Sequence, residues 1–277
     1  MNFFEKCEVP TSPFERKYAE TDDGWARVVE IHDENVDREP DGKYSIPKII
    51  HFIWMGSALP AKYQEIVKDW ETKNPEFEII IWDDDKIKEF RPSMINGTLF
   101  DDAPRFGGKS DIVRYEILKK YGGMYVDTDY LCKGNFSDLH DKYSFYTGVS
   151  LEKPVQFNNG ILAASPNHPI LDICIGQMTL KNPWKISCPE TLVLYQTGPW
   201  AWTRSIMHYI NSDRDHGGIM LFPTQVFHPF PAARRFEADR AEIDSYCKPW
   251  TMACHLWHAS WQARSKFFGG DTTNAKY

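Results

Sequence analysis

The sequence has no long apolar run. Its longest uninterrupted apolar stretches, such as residues 79–82, are only strand-sized, whereas a helix that spans a bilayer needs ~20 apolar residues. The first ten residues carry Glu5, Lys6 and Glu8 and no apolar segment of signal-peptide length. We therefore expect no transmembrane segment and no signal peptide, and we expect a soluble, cytoplasmic protein.

Clusters of basic residues are also missing. The 277 residues include 32 Lys and Arg against 39 Asp and Glu, a formal net charge of −7, and nucleic-acid affinity depends largely on clustered cations that neutralise phosphates. We therefore expect no nucleic-acid partner, although a metal ion would let this acidic protein hold a small anionic ligand. The six cysteines form no Cys-x-x-Cys pair, which favours reduced thiols.

Several catalytic signatures are absent as well. The sequence contains no Gly-x-Gly-x-x-Gly or Gly-x-x-x-x-Gly-Lys-Ser/Thr phosphate loop, no Gly-x-Ser-x-Gly nucleophile motif and no His-Glu-x-x-His zinc motif. These absences argue against nicotinamide redox chemistry, P-loop chemistry and serine hydrolysis.

What is present is an alternation of strand and helix patterns. Residues 48–54 form a β-branched and aromatic run, residues 60–73 have helical apolar spacing, and residues 77–82 form a second apolar run. A strand, a helix and a strand within about 35 residues make a βαβ unit, which predicts a parallel α/β sheet. We expect one domain over residues 46–277. Residues 1–45 form an N-terminal extension packed on it, with a helix near residues 14–31.

The strongest local signal is Asp127-Thr128-Asp129. It follows a predicted helix at residues 109–121, a Gly122-Gly123 stop and a short predicted strand at residues 124–129. In an extended segment residues two apart point to the same side, so both carboxylates can face one site. Such oxygen ligands suit Mg²⁺ or Mn²⁺, which can bridge protein carboxylates to phosphate oxygens. As a bare tripeptide, the motif is also compatible with a solvated turn.

Other residues allow both a functional and a structural interpretation. Asp111 and Arg114 lie three apart on one face of a helix, where the spacing alone favours a surface ion pair. Trp54 is compatible with a base-stacking platform and with a core position. Asn159 fits a turn and also hydroxyl recognition, whereas Thr197-Gly198-Pro199 by itself predicts only a turn. Two histidines, a serine and two tryptophans within residues 255–261 favour a site.

Three blocks in this order carry a family resemblance: residues 46–56 (IPKIIHFIWMG), residues 109–115 (KSDIVRY) and residues 121–129 (YGGMYVDTD). They resemble glycosyltransferase family 32, whose sugar-binding region contains a DXD motif and which includes capsular-polysaccharide transferases and yeast initiating mannosyltransferases. The chain is also similar to the glucosyltransferase domain of large clostridial toxins. Where the family often has two adjacent histidines, this chain has His255 followed by Leu256.

The resemblance implies a GT-A type fold, a Rossmann-like mixed α/β sheet flanked by helices that binds a nucleotide-sugar at the carboxyl ends of its strands. It implies a metal-dependent reaction, with Mn²⁺ or Mg²⁺, that transfers a sugar from a nucleotide diphosphate sugar to a glycan acceptor. The expected nucleotide is UDP, and the expected reaction retains the anomeric configuration. The alternatives are donor binding or hydrolysis without transfer, and an inverting transferase that uses Glu190 or Asp172 as its base.

The resemblance also implies roles for individual residues. Trp54, next to Ile53, would stack on the base; Asp129 would ligate the metal, and Asp127 would contact both the metal and the ribose. Asp111 and Arg114 would hold the donor sugar. Further donor-binding or metal-binding positions implied in the same way are Tyr125, Asn159, His255, His258, Ser260 and Trp261.

Overall fold

A six-stranded sheet forms the centre of the computed structural model, which describes residues 2–8, 22–150 and 156–258. The strands, in chain order, are β1 (Ile49–Ile53), β2 (Glu78–Trp82), β3 (Gly123–Val126), β4 (Tyr130–Cys132), β5 (Phe145–Ser150), β6 (Gln156–Ala164), β7 (Ile219–Phe222) and β8 (Ala253–His255). The central sheet has the order β2-β1-β3-β6-β5-β7, and β4 and β8 form a separate antiparallel pair.

The central sheet is mixed. Five of its strands are parallel to one another, and β6 runs antiparallel to both of its neighbours, β3 and β5. The predicted βαβ unit is confirmed, because β1 and β2 pair in parallel. Since β6 runs in the opposite direction, its first residues lie at the edge where β1 and β3 end.

Helices cover both faces of this sheet. They are α1 (Asp23–Asn35), α2 (Ala61–Lys73), α3 (Asp84–Phe90), α4 (Gly97–Asp102), α5 (Phe106–Tyr121), α6 (Ser137–Lys142), α7 (Pro169–Gln177), α8 (Pro189–Gln196), α9 (Pro199–Ile210), α10 (Thr224–Phe227) and α11 (Arg240–Tyr246). Short 3-10 turns lie at Arg91–Ser93 and Ala232–Arg234. Among the described residues, none of these helices combines the length and the apolar character that a membrane span requires.

The core has a layer on each side of the sheet. One layer joins α5, α7 and α9 through residues such as Ile112, Leu171 and Trp202. The other joins α2 to the opposite face of the sheet through Trp70 and Phe52. The predicted α/β class, with a mixed sheet flanked by helices, is therefore confirmed.

Helix α5 is the central helix and starts earlier than predicted. It begins at Phe106 rather than at residue 109, and it includes Gly107 and Gly108, both buried, in its first turn. It ends as predicted at Gly122, whose φ of +66° is a backbone conformation that favours glycine. A Cβ atom at this position would also lie 2.6 Å from Cδ of Pro166.

The N-terminal segment packs against the same core. Phe3, Cys7, Val28 and Ile31 are buried in the layer that contains α5 and β7. Helix α1 begins at residue 23, where the Asp22 side chain accepts a hydrogen bond from the Trp25 amide at 3.1 Å. The first part of the helix predicted at residues 14–31 lies outside the described residues. All six cysteine thiols are free.

Candidate active site

The polar side chains predicted from the sequence gather around one cavity. The ends of β1 and β3 and the start of β6 meet at the same sheet edge, and beside them lies a cavity of about 390 Å³. Nine of the predicted site residues line it: Ile53, Trp54, Asp111, Arg114, Tyr125, Asp127, Asp129, Asn159 and His255. His258 is buried and is not part of this lining. Ser260 and Trp261 lie outside the described residues.

The two carboxylates of the Asp-x-Asp motif converge in a turn. The prediction of an extended segment was wrong at this point, because β3 ends at Val126 and the Tyr130 amide bonds back to the Asp127 carbonyl oxygen at 3.2 Å. The Asp127 amide donates to the Gly160 carbonyl oxygen of β6 at 2.7 Å. A Cβ atom at Gly160 would lie 2.7 Å from Asp127 Oδ2, so a larger residue here would displace that carboxylate.

His255 completes a three-residue cluster with these carboxylates. One ligand atom each from Asp127, Asp129 and His255 lies within 4.8 Å of the others. His255 Nε2 is 3.3 Å from Asp129 Oδ1, and the His258 amide donates to Asp129 Oδ2 at 2.8 Å. Carboxylate oxygens and imidazole form a donor set that suits Mn²⁺, and the oxygens also suit Mg²⁺. The residues therefore fit a divalent cation.

The pKa values of the two carboxylates shift in opposite directions. Burial opposes ionisation of Asp129, but the neighbouring His255 and His258 outweigh it and hold the pKa of Asp129 below its usual range. Burial raises the pKa of Asp127, with Arg114 opposing the shift and the Asp129 charge adding to it. The Asp127 side chain keeps 31% exposure towards the cavity. Asp129 is thus the firmly ionised member of the pair.

Asp111 and Arg114 form a buried pair rather than a surface pair. Each is 5% exposed, and Arg114 Nη2 lies 3.2 Å from Asp111 Oδ1. The surface interpretation was wrong, because α5 passes beneath the cavity and leaves no face of its central turns open to solvent. Burial raises the pKa of Asp111 to about 6, although Arg114, Thr197 and Asn159 all favour its charged form.

Arg114 links this pair to the Asp-x-Asp motif. Its Nη1 donates to the Asn159 carbonyl oxygen at 2.5 Å and lies 3.4 Å from Asp127 Oδ1. Its guanidinium also packs 4.2 Å from the centre of the Tyr125 ring, and the Tyr125 hydroxyl donates to Asp127 Oδ1. One guanidinium therefore fixes the relative positions of residues from α5, β3 and β6.

Trp54 is not a core residue. It is half-buried at the end of β1, its Nε1 donates to Ser57 Oγ at 3.1 Å, and its ring lies 5.1 Å from that of Tyr63. One face therefore remains available to the cavity, which it lines.

Two functional contacts were missed by the sequence reasoning. Thr197, which lies in a tripeptide that by itself predicted only a turn and for which no contact with Asp111 was predicted, donates from Oγ1 to Asp111 Oδ2 at 2.9 Å. Tyr115 accepts from Asn159 Nδ2 at 2.9 Å and so belongs to the same network. No local pattern identifies either contact, because α5 and residue 197 meet only in the folded chain.

Neither candidate base for an inverting reaction lines the cavity. Glu190 pairs with Arg105 at 3.2 Å, and Asp172 pairs with Lys119 at 2.5 Å.

Part of the chain is similar to known glycosyltransferases. Residues 60–146 match the family described as "Glycosyltransferase sugar-binding region containing DXD motif". An uncharacterised glycosyltransferase of Acanthamoeba polyphaga mimivirus is 29% identical over 192 residues, covering 66% of this chain and 73% of that protein. Inositol phosphoceramide mannosyltransferase 3 of Schizosaccharomyces pombe is 30% identical over 159 residues, covering 56% of this chain and 43% of that protein. The chain thus spans less than half the length of this yeast relative.

Among solved structures, the catalytic domain of alpha-toxin from Clostridium novyi is similar with a TM-score of 0.48 and 10% identity, covering 93% of this chain and 86% of that one. The matched family region contains Asp111, Arg114 and the Asp127-Thr128-Asp129 motif. The mixed α/β sheet flanked by helices agrees with the kind of sheet that the resemblance implied. The resemblance is confirmed for this region: residues 60–146 match the glycosyltransferase sugar-binding region that contains a DXD motif, and that motif lines the cavity.

Proposed function

We propose that this chain transfers a sugar from a nucleotide diphosphate sugar, with UDP as the nucleotide, to a glycan acceptor in a divalent-metal-dependent reaction that retains the anomeric configuration. The observation that carries the proposal is the convergence of Asp127, Asp129 and His255 beside Trp54 and the Arg114 network in one cavity. Residues 46–277 would form the nucleotide-sugar-binding domain, and residues 1–45 the extension packed on it.

Asp129, Asp127 and His255 would hold the cation, Mn²⁺ or Mg²⁺. When bound, the ion supplies Lewis-acid stabilisation of the departing diphosphate. Asp129 suits this role because it stays ionised. His258 contributes through its backbone amide, which orients Asp129 Oδ2, so its imidazole need not be a ligand.

The donor would lie between Trp54 and the Arg114 network. Trp54 presents an aromatic face for the base, next to Ile53. Asp111, Arg114 and Asn159 hold each other in fixed positions through two hydrogen bonds, of 2.5 and 2.8 Å, and an ion pair of 3.2 Å. Fixed acceptors and donors of this kind discriminate sugar hydroxyls, because a missing hydroxyl leaves a buried polar group unpaired.

The carboxylates around the cavity favour retention over inversion. Within the described ranges, the acidic residues that line the cavity are Asp111, Asp127 and Asp129. The first is held by Thr197, Asn159 and Arg114, and the other two are assigned to the metal. No carboxylate is left in this lining to activate an acceptor as a general base. A same-face reaction, in which the leaving phosphate takes the acceptor proton, requires none.

The glycan acceptor would lie against the remaining wall of the cavity. Trp200 and Trp257 line it, and aromatic rings of this kind stack on the apolar faces of sugars. The yeast relative is an inositol phosphoceramide mannosyltransferase. Mannosyl donors therefore belong among the substrates to be tested.

A ligand screen tests this function. We expect UDP or a UDP-sugar to raise the melting temperature only when Mn²⁺ or Mg²⁺ is present, because the diphosphate is held through the cation. GDP-mannose and matched nucleoside monophosphates with the same metal are the comparison ligands. Stabilisation by GDP-mannose alone would overturn the choice of uridine, and the absence of any metal-dependent stabilisation across the series would overturn the proposed donor class.

A further inference from the structure

His255 takes its orientation from aromatic neighbours. Its ring stacks on Tyr130 with centroids 4.2 Å apart and planes 6° apart, and Trp257 lies 4.1 Å away. Histidines that bind metals usually donate their second ring N–H to a polar group, which fixes the ring. Nδ1 of His255 is buried and has no hydrogen-bond partner among the described residues. Apart from the 3.3 Å contact of Nε2 with Asp129 Oδ1, packing against Tyr130 and Trp257 therefore sets the ring plane.

Tyr130 is itself anchored by His228. The Tyr130 hydroxyl lies 2.8 Å from His228 Nε2, and His228 Nδ1 lies 3.0 Å from the Val149 carbonyl oxygen. A carbonyl oxygen only accepts, so Nδ1 carries the hydrogen and Nε2 accepts the bond from the Tyr130 hydroxyl. Tyr130 is 0% exposed and His228 is 2% exposed. The Tyr130 hydroxyl has one hydrogen to donate. Its 2.8 Å distance to His228 Nε2 is shorter than its 3.3 Å distance to Asn158 Oδ1, which favours His228 as the acceptor.

We propose that His228 and Tyr130 are positioning residues for His255. The bond between His228 and the Tyr130 hydroxyl holds the Tyr130 ring, and that ring sets the orientation of the His255 imidazole towards Asp129. This inference rests on the proposed function, because it treats His255 as a metal ligand. Neither residue touches the reacting atoms. Groups that hydrogen-bond to metal ligands and orient them typically contribute about 10- to 100-fold to metal affinity. Tyr130 orients His255 by stacking instead, and we expect loss of the Tyr130–His228 bond to weaken Mn²⁺ binding within that range.

The chain contains a matched control for this pair. The Tyr146 hydroxyl lies 3.0 Å from His140 Nε2, and His140 Nδ1 lies 2.9 Å from the Pro47 carbonyl oxygen. Both side chains are 0% exposed, and neither lines the cavity. The two tyrosines therefore make the same kind of buried bond to a histidine, and only Tyr130 stacks on His255.

The experiment compares Tyr130→Phe with Tyr146→Phe in the full chain. Mn²⁺ alone is titrated, and free Mn²⁺ is measured by electron paramagnetic resonance. We expect the Kd for Mn²⁺ to rise about 10- to 100-fold in Tyr130→Phe and to stay unchanged in Tyr146→Phe. An unchanged Kd in Tyr130→Phe, or an equal rise in both variants, would overturn the inference.

Two further variants keep the test decisive. His228→Leu removes the acceptor of the Tyr130–His228 bond and leaves Tyr130 intact, so it should give the same rise in Kd. It replaces Tyr130→Phe in the test if that variant does not fold.

Asp129→Asn separates this inference from the proposed function. If Asp129→Asn binds Mn²⁺ as the unmodified chain does, the proposed metal site is wrong and the inference falls with it. If Asp129→Asn loses affinity while Tyr130→Phe and His228→Leu do not, the positioning role alone is wrong.

Discussion

Replacing Thr197 by valine removes one hydrogen-bond donor and keeps a side chain of nearly the same shape. Thr197 Oγ1 donates to Asp111 Oδ2 at 2.9 Å, and Asp111 is only 5% exposed, so water cannot readily take over this bond. A hydrogen bond to a charged group contributes about 1.5 to 3 kcal/mol. We therefore expect the free energy of unfolding to fall by about 2 kcal/mol, and the melting temperature to fall by about 4 to 8 °C.

This loss should depend on pH. Burial raises the pKa of Asp111 to about 6, with Arg114 and Thr197 among the groups that oppose the shift. As the pH falls through about 6, the folded chain takes up a proton on Asp111 while the unfolded chain does not, so protonation of this raised carboxyl stabilises the fold. The charge-assisted bond is fully present above that pH, and below it an ordinary bond of about 1 kcal/mol remains. The effect of Thr197→Val should therefore shrink by roughly half between about pH 7.5 and about pH 5.

Thermal unfolding at both pH values measures this effect, and Thr197→Ser is the control because it keeps the hydroxyl. We expect Thr197→Ser to resemble the unmodified chain far more closely than Thr197→Val does. Equal melting temperatures for the serine and valine variants at the higher pH would refute the assigned bond. A gap between them that widens towards low pH would refute the assignment of Asp111 as the ionised acceptor.

Two other substitutions give clear expectations. Trp54→Ala should raise the Kd for the nucleoside diphosphate about 5- to 150-fold, since stacking on a base contributes ~1 to 3 kcal/mol; an unchanged Kd by calorimetry would show that Trp54 does not stack on the base. Gly122→Ala should lower the melting temperature strongly, because φ is +66° and the new Cβ would lie 2.6 Å from Pro166. Gly176→Ala is the control, because Gly176 lies in helix α7 and a Cβ atom there would have nothing within 4 Å. It should leave the melting temperature unchanged or raise it slightly. Equal losses of stability at both glycines would contradict this explanation.

The sequence predicted most of the sheet and the place of the Asp-x-Asp motif. The spacing of apolar residues and the local composition identified β1, α2 and β2. Gly122 identified where α5 ends and β3 begins. The turn at Asp127 was not predictable, because it depends on the Asp127 amide bonding to β6, more than thirty residues later in the chain. Local patterns do not report such long-range pairing.

The environment of Asp111 and Arg114 could not be predicted from spacing. Three-residue spacing describes one helix face, but burial of that face is decided by the sheet and by Thr197, which reach it from distant parts of the chain. The position of His228 is a similar case. It carries no motif, and it enters the site only because Tyr130 and Val149 meet there in the folded chain.

The most direct test of the account is turnover of a nucleotide-sugar, with Mn²⁺ present, by Asp129→Asn and by Asp172→Asn. Both changes replace one carboxylate by an amide, but Asp172 pairs with Lys119 and does not line the cavity. We predict that the unmodified chain and Asp172→Asn consume the donor, that EDTA stops them, and that Asp129→Asn is inactive while it remains folded. Full activity of Asp129→Asn, or undiminished activity of the unmodified chain in EDTA, would contradict the account.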